Sequence, residues 1–220
     1  MNVSDAVANR RSIRVFEDRP VDLALLRKVL EKAQMAPSSM NLQPWHAVVL
    51  TAEPLAALSA AMKASKPQKP AEYEMVAKET PAQYLARREA IMGPRMESLG
   101  IARDDMAGRN AYGLKNYEFF GAPACLFTFV PRALSANNWA SVGLWYQTVM
   151  LLLVETGLAS CPQESLAFYA SLVKQACGVD DGEYLFWCGM AIGWPDMSAP
   201  VNNYARPRVS LDESVKFIGF

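Results

Sequence analysis

Residues 124–161 read ACLFTFVPRALSANNWASVGLWYQTVMLLLVETGLASC. The first seven, Ala124 to Val130, are apolar or β-branched without interruption, the pattern of a strand buried on both faces. From Trp139 to Val154 sixteen residues pass without a charge, with Asn137 or Asn138 positioned to cap a helix that Gly157 would stop. A membrane-spanning helix needs roughly 20 apolar residues. This run is shorter, contains Ser141, Gln147 and Thr148, and ends at Glu155. It reads as a helix buried on nearly all faces, either in the domain centre or in a large interface between two copies of the chain. Leu158 to Cys161 then returns to extended chain, so the centre of the molecule reads strand, buried helix, strand.

The same layering extends outward. Tyr184 to Trp194 (YLFWCGMAIGW) is a second buried strand, preceded by the Asp181-Gly182 turn signal, and its Gly189 and Gly193 indicate close packing. Leu166 to Ala176 reads as an amphipathic helix ended by Gly178. Upstream, His46 to Thr51 (HAVVLT) is a strand and Pro54 to Ala64 a helix. Asp22 caps a helix whose Leu23, Leu26, Val29, Leu30 and Ala33 share one face and which stops before Pro37. Ser4 caps a short first helix over residues 4–10, and residues 13–16 are extended. Residues 65–120 form a polar excursion broken by Pro67, Pro70 and Pro81, with one or two helices between 71 and 107. The order predicts an α+β or α/β layered fold in one domain spanning residues 1–220.

Composition narrows the function. Twenty-two Lys and Arg balance twenty-two Asp and Glu, which argues against a general nucleic-acid binder and leaves little charge to oppose self-association. The one histidine, His46, excludes a multi-histidine zinc site and restricts any Ser-His-Asp triad to itself. Cys125, Cys161, Cys177 and Cys188 form no C-x-x-C and lie in apolar surroundings, as reduced buried thiols of a cytoplasmic protein would. The opening MNVSDAVANRRS has no apolar core of signal-peptide length. Neither G-x-G-x-x-G nor G-x-x-x-x-G-K-[ST] occurs, so no Rossmann or P-loop site is indicated.

Four groups of residues carry potential chemistry. Arg10, Arg11, Ser12 and Arg14 form either an anion site, for which forked guanidinium donors and a hydroxyl are suited, or a solvated basic patch. Arg206 and Arg208 alternate as strand residues facing one side would. The loop Pro37-Ser38-Ser39-Met40-Asn41-Leu42-Gln43-Pro44 offers polar groups for a ribityl chain or heterocycle edge, or simply turn chemistry. Cys161-Pro162-Gln163-Glu164-Ser165 lies between a strand and a helix start, where free N–H groups can bond an electron-rich atom. Cys161 has nothing basic beside it in sequence to make it a nucleophile.

In this order and spacing the clusters resemble the FMN-dependent nitroreductase family. Arg10-Arg11-Ser12-Ile13-Arg14 is similar to its flavin-phosphate motif, and Ala36 to His46 (APSSMNLQPWH) to its second motif. Phe119-Phe120-Gly121-Ala122-Pro123 resembles its central strand entry, Gly157 to Glu164 (GLASCPQE) its flavin N5 loop, and Gly189 to Asn202 with the Arg206/Arg208 tail its C-terminal part. The resemblance implies an α+β layered domain with a mixed, mostly antiparallel sheet flanked by helices. It also implies an intertwined homodimer with two FMN sites at the subunit interface.

By the same resemblance, Arg10, Arg11, Ser12, Arg206 and Arg208 would hold the phosphate and Arg14 the flavin N1–O2 edge. Pro37, Ser38, Ser39 and Asn41 would come from the partner, and Pro162, Gln163, Glu164 and Ser165 would lie against the isoalloxazine. The family often has glycine where this chain has Ser165. Tyr112, Tyr117 and Phe120 would roof the substrate pocket or, equally, pack the dimer. NADH or NADPH would deliver hydride to FMN, and an electron-poor aromatic such as a nitroarene or quinone would take it in a ping-pong cycle. No side-chain base and no metal are implied, only electrostatic support from Arg14 and Glu164. A non-catalytic flavin sensor or storage protein, a phosphate-ligand module, and a quinone reductase, ene reductase or dehalogenase on the same fold are the alternatives. No membrane or nucleic-acid partner is expected.

Overall fold

The computed structural model describes every residue except 69, 70, 76 and 78. Four strands, β1 (His46–Thr51), β2 (Ala124–Pro131), β3 (Ala159–Gln163) and β4 (Tyr184–Gly193), form one sheet in the order β1-β2-β4-β3, each neighbouring pair antiparallel. The outer edge of β3 is met by the N-terminal chain, through a parallel bridge between Ser12 and Ser160. The four-stranded sheet is thus antiparallel throughout rather than mixed, and among the described residues its one parallel contact is this isolated bridge. The helices are α1 (Val3–Asn9), α2 (Leu23–Ala33), α3 (Ala52–Ala64), α4 (Ala82–Ser98), α5 (Met106–Leu114), α6 (Ala136–Glu155), α7 (Ala170–Cys177) and α8 (Leu211–Ser214).

The period of two along a strand divides the core into two layers. Ala124 and Leu126 of β2, with Cys188, Met190 and Ile192 of β4, face α2 and α6, where they meet Leu26, Val29, Trp145, Val149 and Leu153. Cys125, Phe127 and Phe129, with Phe186 and Ala191, face the other way onto Leu55, Leu58, Met62, Leu166 and Val173. Covered on both faces, β2 and β4 need apolar residues at every position, which is why their sequences do not alternate. The two strand glycines are used for contact: a Cβ on Gly193 would lie 2.7 Å from Pro123 Cδ and 2.9 Å from the Phe16 ring, and one on Gly189 would collide with Leu166.

Several local expectations are corrected. The first helix is capped by Asn2 rather than Ser4: the Asn2 side chain accepts from Asp5 N while the Asp5 carboxylate accepts from Asn2 N, a reciprocal box that leaves Ser4 inside the helix. Helix α6 starts at Ala136, so Asn137 and Asn138 are already helical and Ser135 takes the cap position. It buries Trp145, Tyr146, Val149 and Leu153 but leaves Leu144 51% exposed, so it is not enclosed on all faces within one chain. The amphipathic segment 166–176 divides into a 3-10 turn, Glu164–Tyr169, and α7, which Gly178 ends at φ +64°. Arg206 and Arg208 lie on no strand, and Pro207 between them removes a donor that a ladder would need.

A buried ion network ties residues 71–75 to the core. The Glu72 carboxylate accepts from Lys174 Nζ at 2.5 Å, from Arg132, and from Phe186 N at 3.0 Å, while Lys174 also pairs with Asp181. Beside it, Tyr73 donates to the Trp187 carbonyl at 2.5 Å and sets its ring edge-on to Trp139.

Candidate active site

The bridge at Ser12, reinforced by Ile13 N donating to Ser160 O at 3.0 Å, lays residues 10–14 beside β3, whose far end, Pro162-Gln163, runs into Glu164 of the following turn. Two segments distant in sequence thus share one edge of the sheet. The C-terminal chain fixes them there. Asn202, 2% exposed, accepts Arg14 N on its side-chain oxygen at 2.7 Å and donates to Val15 O and Asp196 O. Its backbone carbonyl takes Arg11 Nη1 at 2.5 Å. Arg206 reaches back to the carbonyls of Arg10 and Ala8.

These contacts concentrate positive charge. Burial and the Arg208 charge hold the Arg10 guanidinium below its ordinary pKa. Burial, then Arg11, Arg10 and Arg208, do the same to Arg206. Among the described residues none of the four arginines has an acidic partner within ion-pair distance. With only backbone carbonyls as partners among the described residues, these clustered guanidiniums are free to bind an anion. Ser12 lies in the same half-buried stretch.

At the other end of β3, Gln163 is 1% exposed. Its Nε2 donates to Asn116 O at 2.8 Å, while its Oε1 has no partner among the described residues. Pro162 and Ser165 are half-buried, Ser165 Oγ is also unpartnered, and Glu164 is exposed at the start of the 3-10 turn. Burial raises the Cys161 thiol despite the pull of Arg14 and Arg95, so it stays protonated and does not serve as a nucleophile.

Arg14 lies between the two ends. Burial lowers its pKa, but the Cys161 thiol and the Tyr204 and Tyr112 hydroxyls outweigh that, and it ends above its ordinary value. It donates to Ser12 O and to the Tyr204 hydroxyl, and its Cζ is 5.9 Å from the Phe120 ring centroid. Tyr112 packs 6.1 Å from Phe120, with its own hydroxyl buried, unpartnered among the described residues and pushed up to about 12 by burial. Tyr117 is half-buried, edge-on to Tyr169 at 4.8 Å. Tyr112 and Phe120 therefore flank Arg14, whereas Tyr117 lies beside the turn that follows Glu164.

The structure does not bring residues 37–41 to this edge of the same chain. Ser39 N donates to Ser141 Oγ near the start of α6, whereas Arg11 and Arg206 line a cavity of about 430 Å³ with Val154 at its end. The thirteen residues from Ser141 to Val154 correspond to about 20 Å of helix. The loop keeps an outward, strained shape: Met40, Asn41 and Gln43 have φ of 50°, 57° and 49°, and Pro37, Ser39 and Asn41 are exposed. Ser38 Oγ accepts Gln43 N, which is turn chemistry. Sequence reasoning missed Asn202 as the organiser of the site, and with it Tyr204 and Arg95. Asn202 closes the quoted segment 189–202, but nothing in its local sequence marks it as buried.

A four-stranded antiparallel sheet flanked by helices thus carries, along one edge, an arginine cluster and a strand-to-turn loop, an arrangement suited to an elongated ligand with an anionic end. The chain belongs to the Nitroreductase family, whose model matches residues 7–194. It is 35% identical over 215 residues to a 4-nitrobenzoate reductase of Pseudomonas putida, covering 97% of this chain and 94% of that protein. Among solved structures it is similar to the FMN and NADPH-dependent nitroreductase NfnB from Sphigopyxis sp. strain HMH, with 45% identity, complete coverage of both chains and a TM-score of 0.95. It is also similar to the FMN-dependent nitroreductase NfnB from Mycobacterium smegmatis in complex with NADPH, at 29% identity, TM-score 0.88, and 99% and 100% coverage. Among the described residues no helix is long and apolar enough to cross a membrane.

Proposed function

We propose that the protein is an FMN-dependent NAD(P)H oxidoreductase that reduces nitroarenes and related electron-poor aromatics. One observation carries the reading: the Ser12–Ser160 bridge sets an acid-free arginine cluster and the Pro162-Gln163-Glu164 loop at two ends of one short strand. The five residues of β3 span about 13 Å, so groups at its two ends can meet different parts of one elongated ligand. The donor set fits that group. Arg10, Arg11, Ser12, Arg206 and Arg208 would hold the phosphate, Arg14 the pyrimidine edge, and the 162–165 loop the ring. When bound, FMN supplies the hydride chemistry that side chains lack. The chain positions the ring, withholds water and fixes positive charge near it.

The active form is a homodimer. Helix α6 leaves Leu144 exposed, β1 is an edge strand, and a cavity of about 580 Å³ lined by Leu23, Leu26, Val49 and Leu55 lies beside it. The C-terminal residues Phe217, Ile218 and Phe220 are exposed apolar groups with nothing in their own chain to cover them among the described residues. A second copy resolves both, and it also brings residues 37–41 to an arginine cluster they cannot reach in their own chain. The chain folds as one domain, and its free thiols suit the cytoplasm.

Initial rates measured against NADPH at several fixed concentrations of a nitroarene test the reading. Parallel reciprocal plots are expected for two half-reactions sharing one site. Intersecting plots would require both substrates to bind together and would exclude the proposed cycle, while absence of NAD(P)H oxidation would favour a sensor or storage role.

A further inference from the structure

Two guanidiniums bracket one tyrosine on the inner side of this site. Arg14 donates to the Tyr204 hydroxyl at 3.2 Å, and Arg95, carried by α4, places its Cζ 5.9 Å from the centroid of the Tyr204 ring. Arg95 makes no ion pair and no side-chain hydrogen bond among the described residues, and its Nε is closed off from solvent. The Tyr112 hydroxyl nearby is likewise buried and unpartnered. The charges of Arg14 and Arg95 are both felt at Cys161, immediately before Pro162, and at Tyr112. Two cations thus stand against one neutral tyrosine, and among the described residues neither has an acidic partner. Such an arrangement is suited to stabilise negative charge arriving nearby. Arg95 Nε and the Tyr112 hydroxyl are closed off from solvent, although Arg95 as a whole is half-buried. Their effect is through the field, which is screened little in a water-poor site.

We propose that Arg95 is a positioning residue for the redox step: with Arg14 and Tyr204 it forms a cationic pair that stabilises the negative charge each hydride brings to the flavin pyrimidine edge. The inference rests on the FMN reading above. It assigns helix α4, part of the polar excursion, a direct electrostatic part in the reaction rather than only a covering one.

The test is the two-electron midpoint potential of the FMN-loaded protein, measured for wild type, Arg95→Met, Arg95→Gln and Arg95→Lys. The neutral variants are expected to shift the balance at least tenfold toward the oxidised cofactor, about 30 mV for a two-electron couple. Arg95→Lys is expected to stay near wild type. FMN affinity should change little in all three, because Arg95 is not a phosphate ligand. Two neutral variants guard against a folding loss in one. An unchanged potential in a neutral variant overturns the proposal, as does an Arg95→Lys variant that falls as far as Arg95→Met. A wild type that takes up no flavin overturns the FMN reading as well; a wild type reduced by NADPH beside an unshifted Arg95→Met overturns this inference alone.

Discussion

The side-chain oxygen of Asn202 accepts the backbone N–H of Arg14 at 2.7 Å, across 188 positions of sequence. Through this bond, and through its amide donations to Val15 O and Asp196 O, one neutral side chain fixes the course of the arginine-bearing segment. Removing it leaves buried backbone groups unpaired on two segments. Asn202→Ala is expected to lower unfolding free energy by about 2–4 kcal/mol in urea titrations. It should also weaken FMN binding without altering any arginine. A variant with wild-type stability would show that the segment is held by other contacts.

The phosphate assignment predicts a graded loss. Arg208→Ala removes a charged donor without touching the carbonyl contacts that Arg206 makes to Arg10 and Ala8. Its FMN Kd, read by fluorescence quenching on reconstitution, is expected to rise about 10- to 100-fold. The loss should shrink as salt is raised, since a partly exposed charge is screened. A Kd within twofold of wild type would remove Arg208 from the site.

A shared site predicts complementation between copies. Arg10→Ala/Arg208→Ala subunits and Ser39→Ala/Asn41→Ala subunits should each bind FMN poorly as homodimers. Mixed dimers carry one site with intact arginines and an intact loop, so about half the wild-type FMN stoichiometry is expected in isolated mixed dimers, and about a quarter in an equal mixture after subunit exchange. Mixed dimers as poor as their parents would mean that residues 37–41 do not serve the partner's cluster.

Much of this frame was legible in the sequence because it depends on local pattern. Strands β2 and β4 are read from apolar runs that only two-sided burial explains, and α6 from sixteen uncharged residues. The arginine cluster alone fits a solvated patch as well as an anion site, and it is the order and spacing of all the clusters along the chain that make it legible. What was not legible depends on distance in sequence. Asn202, Tyr204 and Arg95 meet Arg14 only after the chain folds back, and their neighbours give no periodicity that marks them. The helix caps were misread for a smaller reason: Ser4 and Asn138 are acceptable caps in isolation, but Asn2 has the reciprocal Asp5 and Ser135 comes before Asn138 in the chain. The 166–176 helix was read as continuous because a 3-10 turn keeps apolar residues at nearly the same spacing.

The Glu72 network predicts a stability effect outside the site. Glu72→Ala would leave Lys174, 2% exposed, with only the exposed Asp181 as partner, and is expected to destabilise the fold by about 3–5 kcal/mol in urea. Asp181 itself is held below its usual carboxylate range by the Lys174 hydrogen bond and charge. A depressed pKa stabilises at pH above the ordinary carboxylate value, and the gain is lost as pH falls through the lowered one. Asp181→Asn should therefore flatten the acid limb of the stability curve while leaving the neutral plateau nearly as shaped. A limb unchanged in Asp181→Asn would contradict this.

Close packing at Gly193 makes a further stability test. A methyl there meets the rigid Pro123 and Phe16 rings, so Gly193→Ala is expected to lose about 1–3 kcal/mol in thermal or urea unfolding. Gly113 in α5 has open space around it, and Gly113→Ala should be neutral or gain up to about 1 kcal/mol. Equal effects at the two positions would mean that the β4 approach is not as tight as described.

The most direct measurement is the visible spectrum of the purified protein reconstituted with FMN, followed anaerobically through addition of NADPH and then a nitroarene. Flavin bands that bleach with NADPH and return with the nitroarene are the predicted result, because each step hands one hydride through the same site. Bands that persist through NADPH, or a protein that stays colourless after incubation with FMN, would contradict the assignment of the arginine cluster and the 162–165 loop to a working flavin site.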